Sequence, residues 1–244
     1  MTINEFLTTG QAWWVTFLIL GCVILVVSAT SAFVGWAVRD GADRRALILF
    51  PAIFVLWGGG ALATSLTLVL EFTWFLPFAL FPIILGSAMS FLPVVAGVLA
   101  RVPVHWMIGL QTYRVLGGLF LYPYMAEGIL TPGFSWPAGV GDVLTGLAAP
   151  FVAIAVLRDP EGARRIFYAW TAFGILDLIV APLSAAIWSF GVGGQDMTFA
   201  VTAIPLFLGP PFGILIHIMT WRAFELQRRQ SDLTASSARS APAE

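Results

Sequence analysis

Tyr113-Arg114-Val115-Leu116-Gly117-Gly118 stands in the middle of an apolar run over residues 102–124. Crossing a bilayer takes about 20 residues, and this run is long enough. An arginine at its centre has no water beside it, so the protein interior must receive the guanidinium. Even on the lenient insertion scale, a charge at the bilayer centre costs at least ~2.5–3.5 kcal/mol. The run therefore reads as one helix of a membrane bundle whose polar interior is organised around Arg114.

Composition extends that reading to the whole chain. Of 244 residues, 59% are hydrophobic and only 10% charged, and the mean hydropathy is +0.91. A soluble domain would need far more charge to cover its surface. Further apolar runs cover about 12–38, 46–70, 74–100, 136–157, 166–190 and 198–221. The fold class expected is an all-α integral membrane protein with seven transmembrane helices, a single bundle over 1–229. The Ser/Ala-rich stretch 230–244 reads as a disordered cytoplasmic tail.

The arginines orient the bundle. The chain has no lysine, so all 12 basic residues are arginine. Except for Arg114, each lies between runs one and two, three and four, or five and six, or beyond run seven. The N-terminus and the remaining connections carry only Glu5, Glu71, Glu127 and Asp196. By the positive-inside rule the N-terminus lies outside and the C-terminus in the cytoplasm, with the chain spanning the plasma membrane. Trp13, Trp14, Trp74, Trp136 and Trp188 then mark one interface, and Trp36, Trp106 and Trp221 the other. Met1 to Gly10 lacks the basic region of a cleavable signal peptide. Cys22 is the lone cysteine, which rules out an intrachain disulfide.

A short pattern recurs. Val38-Arg39-Asp40 with Arg44-Arg45 returns as Leu157-Arg158-Asp159 with Arg164-Arg165, and Phe81-Pro82-Ile83-Ile84-Leu85-Gly86 returns as Ile204-Pro205-Leu206-Phe207-Leu208-Gly209. Runs one to three and five to seven then form parallel repeats, with run four as inverting linker; convergent basic loops are the competing explanation. This 3+1+3 layout resembles SWEET-type sugar transporters and PnuC-type vitamin transporters and, more loosely, microbial rhodopsins. The likeness is one of arrangement and implies transport; without lysine, a retinal Schiff base is impossible.

Two further charges lie inside runs, Asp142 and Asp177. At 1.5 Å per residue from the outer helix ends, Asp142 lies ~9 Å deep, Arg114 ~15 Å and Asp177 ~18 Å. A long arginine spans that difference, so the expectation is a cluster in which the guanidinium fork pairs one or both aspartates. The cluster either lines a cavity that binds a polar or anionic solute or relays a proton, or it only ties helices together. Trp136, Gly139, Gly141, Gln111 and Tyr113 are the candidate cavity-lining residues. The Pro/Gly-rich stretch 131–142 is expected to leave the fifth helix irregular or to admit close packing. Prolines are expected to break the third run at Pro77, Pro82 and Pro93, the sixth at Pro182 and the seventh at Pro205, with Pro210-Pro211 kinking or unwinding the seventh.

His105 and His217 both fall near the cytoplasmic face, and only that shared depth suggests a haem or metal between them. No metal-ligand spacing accompanies them, so no metal or cofactor is expected; His217 reads as an interhelical hydrogen-bonding residue. Motifs for nucleophilic, metal or phosphate chemistry are absent, and Gly58-Gly59-Gly60 reads as a packing site. The chain is thus expected to be a small transporter or permease rather than an enzyme. A sensor or scaffolding subunit is the alternative, and a redox protein a more distant one. Its partners would be membrane lipids, a small solute, and a second copy or another membrane protein. Nucleic acid is excluded, because no basic patch exists.

Overall fold

The computed structural model describes residues 13–67, 72–125, 128, 130–185, 187 and 208–240. The acids Glu5, Glu71, Glu127 and Asp196 and the repeat residues Ile204 to Phe207 lie outside these. The described residues form helices and turns, with no strand among them. Helices α1 (Trp13–Arg39), α2 (Ala46–Thr67), α3 (Phe72–Met89), α4 (Pro93–Leu99) and α5 (Val104–Leu110) come first. α5 runs into a 3-10 stretch, Gln111–Gly117, and a π-turn, Phe120–Tyr124. Then follow α6 (Pro132–Arg158), α7 (Arg164–Ala185) and α8 (Pro210–Ser240).

Three segments are long and apolar enough to cross a membrane: Phe17–Arg39, Pro132–Arg158 and Arg164–Ser184. Large apolar side chains face outward along the helices, among them Ile24 at 66% exposure, Ile48 at 76% and Phe151 at 73%. Water would penalise so much exposed hydrocarbon, whereas lipid would not. The architecture is that of an all-helical, membrane-associated chain.

The helices depart from the expected runs where proline and glycine dictate. The third run, 74–100, is broken at Pro93, one of the three prolines expected to break it: Leu80–Met89 and Pro93–Leu99 meet at an 87° bend. Leu92 is extended (φ −65, ψ 138) before Pro93, which occupies the first turn of α4. The proline ring keeps its predecessor out of the α region, and its missing amide costs nothing at a helix start. Of the two expectations for the stretch before Asp142, irregular helix or close packing, the structure shows the second: it lies within a continuous helix, and Gly139 and Gly141 admit close neighbours. Thr131 is extended (φ −70, ψ 145), Pro132 opens α6, and Pro137 and Pro150 sit inside it.

Pro210-Pro211 likewise forms the first turn of α8; the part of the seventh run before it, 198–207, and with it the expected kink or unwinding, lies outside the described residues. The tail expected to be disordered from 230 is helical as far as Ser240. Ion pairs one turn apart favour that continuation, Arg228 with Glu225 at 3.1 Å and with Asp232 at 3.7 Å. Such pairs each add a few tenths of a kcal/mol, about 0.2–0.5. The two basic loops that match in sequence turn by different means. Gly41 has φ +95 in the first, while in the second the Gly162 amide donates to Asp159 Oδ1 at 3.0 Å.

α6 is central, packing against α7, α5 and the 3-10 stretch, and α8 closes the structure against α3, α4, α5 and α7. Short α4 leaves carbonyls without helical donors. Gln227 of α8 fills that need, its Nε2 donating to Leu99 O at 3.1 Å and Val102 O at 2.8 Å. Gln227→Ala is expected to lower the unfolding free energy by about 1 kcal/mol, measured by tryptophan fluorescence during denaturation in detergent. An unchanged midpoint would show that these bonds contribute nothing.

Candidate functional site

The fourth run does not continue as an α-helix where Arg114 stands. From Gln111 the backbone tightens into 3-10 geometry (Gln111 φ −64, ψ −6), and at Tyr122 it leaves helical angles altogether (φ −158, ψ 126). Mid-helix departures of this kind concentrate at functional or strained positions. The local cause is close approach to α6. A Cβ added at Gly146 would lie 2.6 Å from Val115 N, and one at Gly139 would lie 2.9 Å from Gly117 O. Glycine on α6 is what lets the arginine-bearing backbone come so near.

Arg114 is then buried to 2% exposure, with Asp142 at 9%, Asp177 at 7% and His217 at 0%. Its Nε donates to Asp142 Oδ1 on α6 at 2.6 Å. Nη2 donates to Asp177 Oδ2 on α7. Nη1 donates to Gly174 O at 3.1 Å and to His217 Nε2 on α8 at 3.2 Å. Every nitrogen of the guanidinium is engaged. Because arginine only donates, His217 Nε2 must accept, which places the imidazole proton on Nδ1 and leaves the ring neutral.

Small residues hold the cluster's shape. A side chain at Gly117 would run into Asp142, one at Gly141 into Asp177, and one at Gly174 into His217 and Arg114. The Trp170 ring lies 4.6 Å from His217, and its Nε1 donates to Thr145 O at 3.0 Å. Gln111 Nε2 donates to Gly213 O at 3.2 Å, and the Tyr113 hydroxyl to Leu208 O at 2.7 Å. Among the buried polar atoms without a protein partner are Gln111 Oε1, Ser135 Oγ, Thr145 Oγ1, Thr171 Oγ1 and His217 Nδ1. Buried polar atoms almost always find a hydrogen bond, and water is the usual supplier in such places.

The structure thus brings Arg114, Asp142 and Asp177 together and adds His217, which sequence reasoning assigned only an unspecified interhelical bond. Gly146, Gly174 and Trp170 were not singled out; small-residue spacing on the fifth and sixth runs was the available signal. Gln111, Gly139 and Gly141 are buried beside the cluster, Tyr113 is half-buried, and Trp136 faces outward at 55% exposure. None of these five lines the large cavity, of about 750 Å³, which lies between α1, α2, α3, α4, α5 and α8 and is walled almost wholly by apolar side chains such as Phe33, Phe54 and Leu215. His105 packs edge-on to Trp106, with ring centroids 6.1 Å apart, while His217 turns its Nε2 to a guanidinium. No group of metal-ligating side chains occurs among the described residues.

A family model described as "Domain of unknown function (DUF8737)" matches residues 71–224. The match spans more than half of the chain, which therefore belongs to that family, and it includes all four residues of the cluster. No curated protein and no solved structure matches the chain.

Proposed function

We propose that this member of the DUF8737 family is a seven-span transporter or permease of the plasma membrane, working at the Arg114–Asp142–Asp177–His217 cluster. Its N-terminus would face outward and its C-terminus the cytoplasm, as the arginine distribution requires. The broken fourth run would be the linker of a 3+1+3 arrangement. One observation carries the reading. Ionisable side chains from four separate elements converge on one buried point, and the arginine there sits on backbone that is not regular helix. Ionisable groups buried among membrane helices mark substrate or proton pathways by default.

The geometry also narrows what such a site would handle. Each nitrogen of the Arg114 guanidinium already has a protein partner, so an anionic solute would compete with Asp142 and Asp177 for it. One guanidinium stands against two carboxyl groups, and the excess is negative. A proton, a cation or a neutral polar solute therefore suits the site better than an anion.

The protein reconstituted in liposomes on a sensor-supported membrane should give transient currents. The probes are pH steps and a panel of sugars, amino acids and nucleosides. Asp177→Asn should reduce the response at least tenfold while leaving the elution profile of the purified protein unchanged. Currents that persist at full size in Asp177→Asn would remove the cluster from the transport pathway.

A further inference from the structure

We propose that Asp142 and Asp177 hold one exchangeable proton between them, so that the pair acts as a single proton-binding site. The proposal deepens the transport reading and rests on it only for what the proton does, not for its presence.

The charges are counted from every element packed on the site. The 3-10 stretch contributes Arg114, and also Tyr113, whose hydroxyl is occupied by Leu208 O. α6 contributes Asp142 and α7 Asp177, both ion-paired to Arg114. α8 contributes His217, held neutral because its Nε2 accepts from Arg114. α1 contributes the buried free thiol of Cys22, which lies in the apolar cluster that Tyr113 packs against. With both carboxyl groups ionised, the cluster would carry one uncompensated negative charge with almost no exposure to solvent. Isolating a carboxylate from water is among the largest penalties in a folded protein.

Geometry says where the compensation goes. His217 cannot supply it, since a proton on Nε2 would point a donor at the Arg114 donor. Asp142 on Nε and Asp177 on Nη2 are held by adjacent nitrogens of one buried guanidinium, so two carboxyl groups crowd against a single cation. Two carboxyl groups so placed share a proton and titrate as a pair. Arg114 then neutralises the remaining charge, and the cluster is neutral.

Exchange breaks the carboxyl O–H bond and passes the proton to a neighbouring oxygen. The hydroxyls of Thr145, one turn from Asp142, and Thr171, one turn from Gly174, are buried without protein partners. A hydroxyl both donates and accepts, so each can pass a proton to water. The emptied pair is again negatively charged, which drives it to take up another proton before the site can rest. A site of this kind loads and unloads one proton per cycle.

Infrared spectroscopy of the purified full-length protein tests this directly. At pH 7, about three units above ordinary carboxyl pKa values, native protein should show the carbonyl stretch of one protonated carboxylic acid per chain. Raising the pH should remove the band. Asp142→Asn and Asp177→Asn should each abolish it alone, because Arg114 neutralises the one carboxylate left. Absence of the band in native protein overturns the proposal, as would a band that survives in both variants or a site neutralised by added sodium without one. Should either variant fail to fold, the titration of the native band decides alone. Flux of protons and of the solute panel into liposomes is measured beside it: a band without any flux keeps the shared proton and refutes the transport reading. Flux without a band does the reverse.

Discussion

Arg114→Met is expected to lower the unfolding free energy by about 3–5 kcal/mol, the range seen when one partner of a buried ion pair is removed. For a chain of this size that corresponds to a fall in melting temperature of roughly 6–20 °C. The reason lies in what is left behind. Asp142 Oδ1, Asp177 Oδ2, Gly174 O and His217 Nε2 would all lose their donor at once, and none is exposed enough for water to replace it. The ion cluster as a whole adds little net stability, because burying its charges offsets most of their attraction. The cost of Arg114→Met is thus the cost of orphaning its partners. The triple variant Arg114→Met, Asp142→Asn, Asp177→Asn should accordingly recover more than half of the loss. Arg114→Lys should fall between native and methionine, since an ammonium keeps the charge but cannot place donors on four acceptors in the fork's geometry. Thermal unfolding followed by tryptophan fluorescence would decide, and an Arg114→Met protein within 1 kcal/mol of native would refute the account.

How much of this could be read in the sequence follows from the kind of information each feature needs. Arg114, Asp142 and Asp177 announce themselves because each is a charge in an apolar run, and depth along a helix is a matter of counting residues. The sequence says nothing about which helix faces which. Whether His217 reached the cluster depended on how α8 packs against α7 and α5, and a neutral imidazole in an apolar run gives no warning. The breaks show the same limit. Pro82, Pro93, Pro210 and Pro211 are equally visible, yet Pro82 rides inside α3 while the other three begin helices. What separates them is the preceding residue: Leu92 turns to extended backbone before Pro93. The tail misled for a different reason. Its composition is polar, which reads as disorder, but Leu233, Ala235 and the arginine–acid pairs are also good helix formers that can continue α8 past Arg229.

The second large effect concerns a residue with no chemistry of its own. Gly146→Ala is expected to destabilise the fold by about 3 kcal/mol, the upper part of the range for overpacking, and to impair any activity that depends on Arg114. Alanine ordinarily strengthens a helix interior relative to glycine by roughly 0.5–1 kcal/mol, so propensity predicts the opposite sign. Space decides the matter. A Cβ at Gly146 would stand 2.6 Å from Val115 N and 3.1 Å from the Arg114 carbonyl carbon. These are backbone atoms, which cannot swing aside as a side-chain tip can. The 3-10 stretch would have to move off α6, and the Arg114 Nε–Asp142 contact of 2.6 Å is made across that same gap. Gly21 and Gly35 on α1 serve as controls, because a Cβ at either meets nothing within 4 Å. Gly21→Ala and Gly35→Ala should leave stability unchanged or raise it by up to about 1 kcal/mol. A Gly146→Ala protein as stable as those controls would mean that the backbone of the fourth run yields freely. In that case the burial of Arg114 does not depend on how closely α6 approaches it.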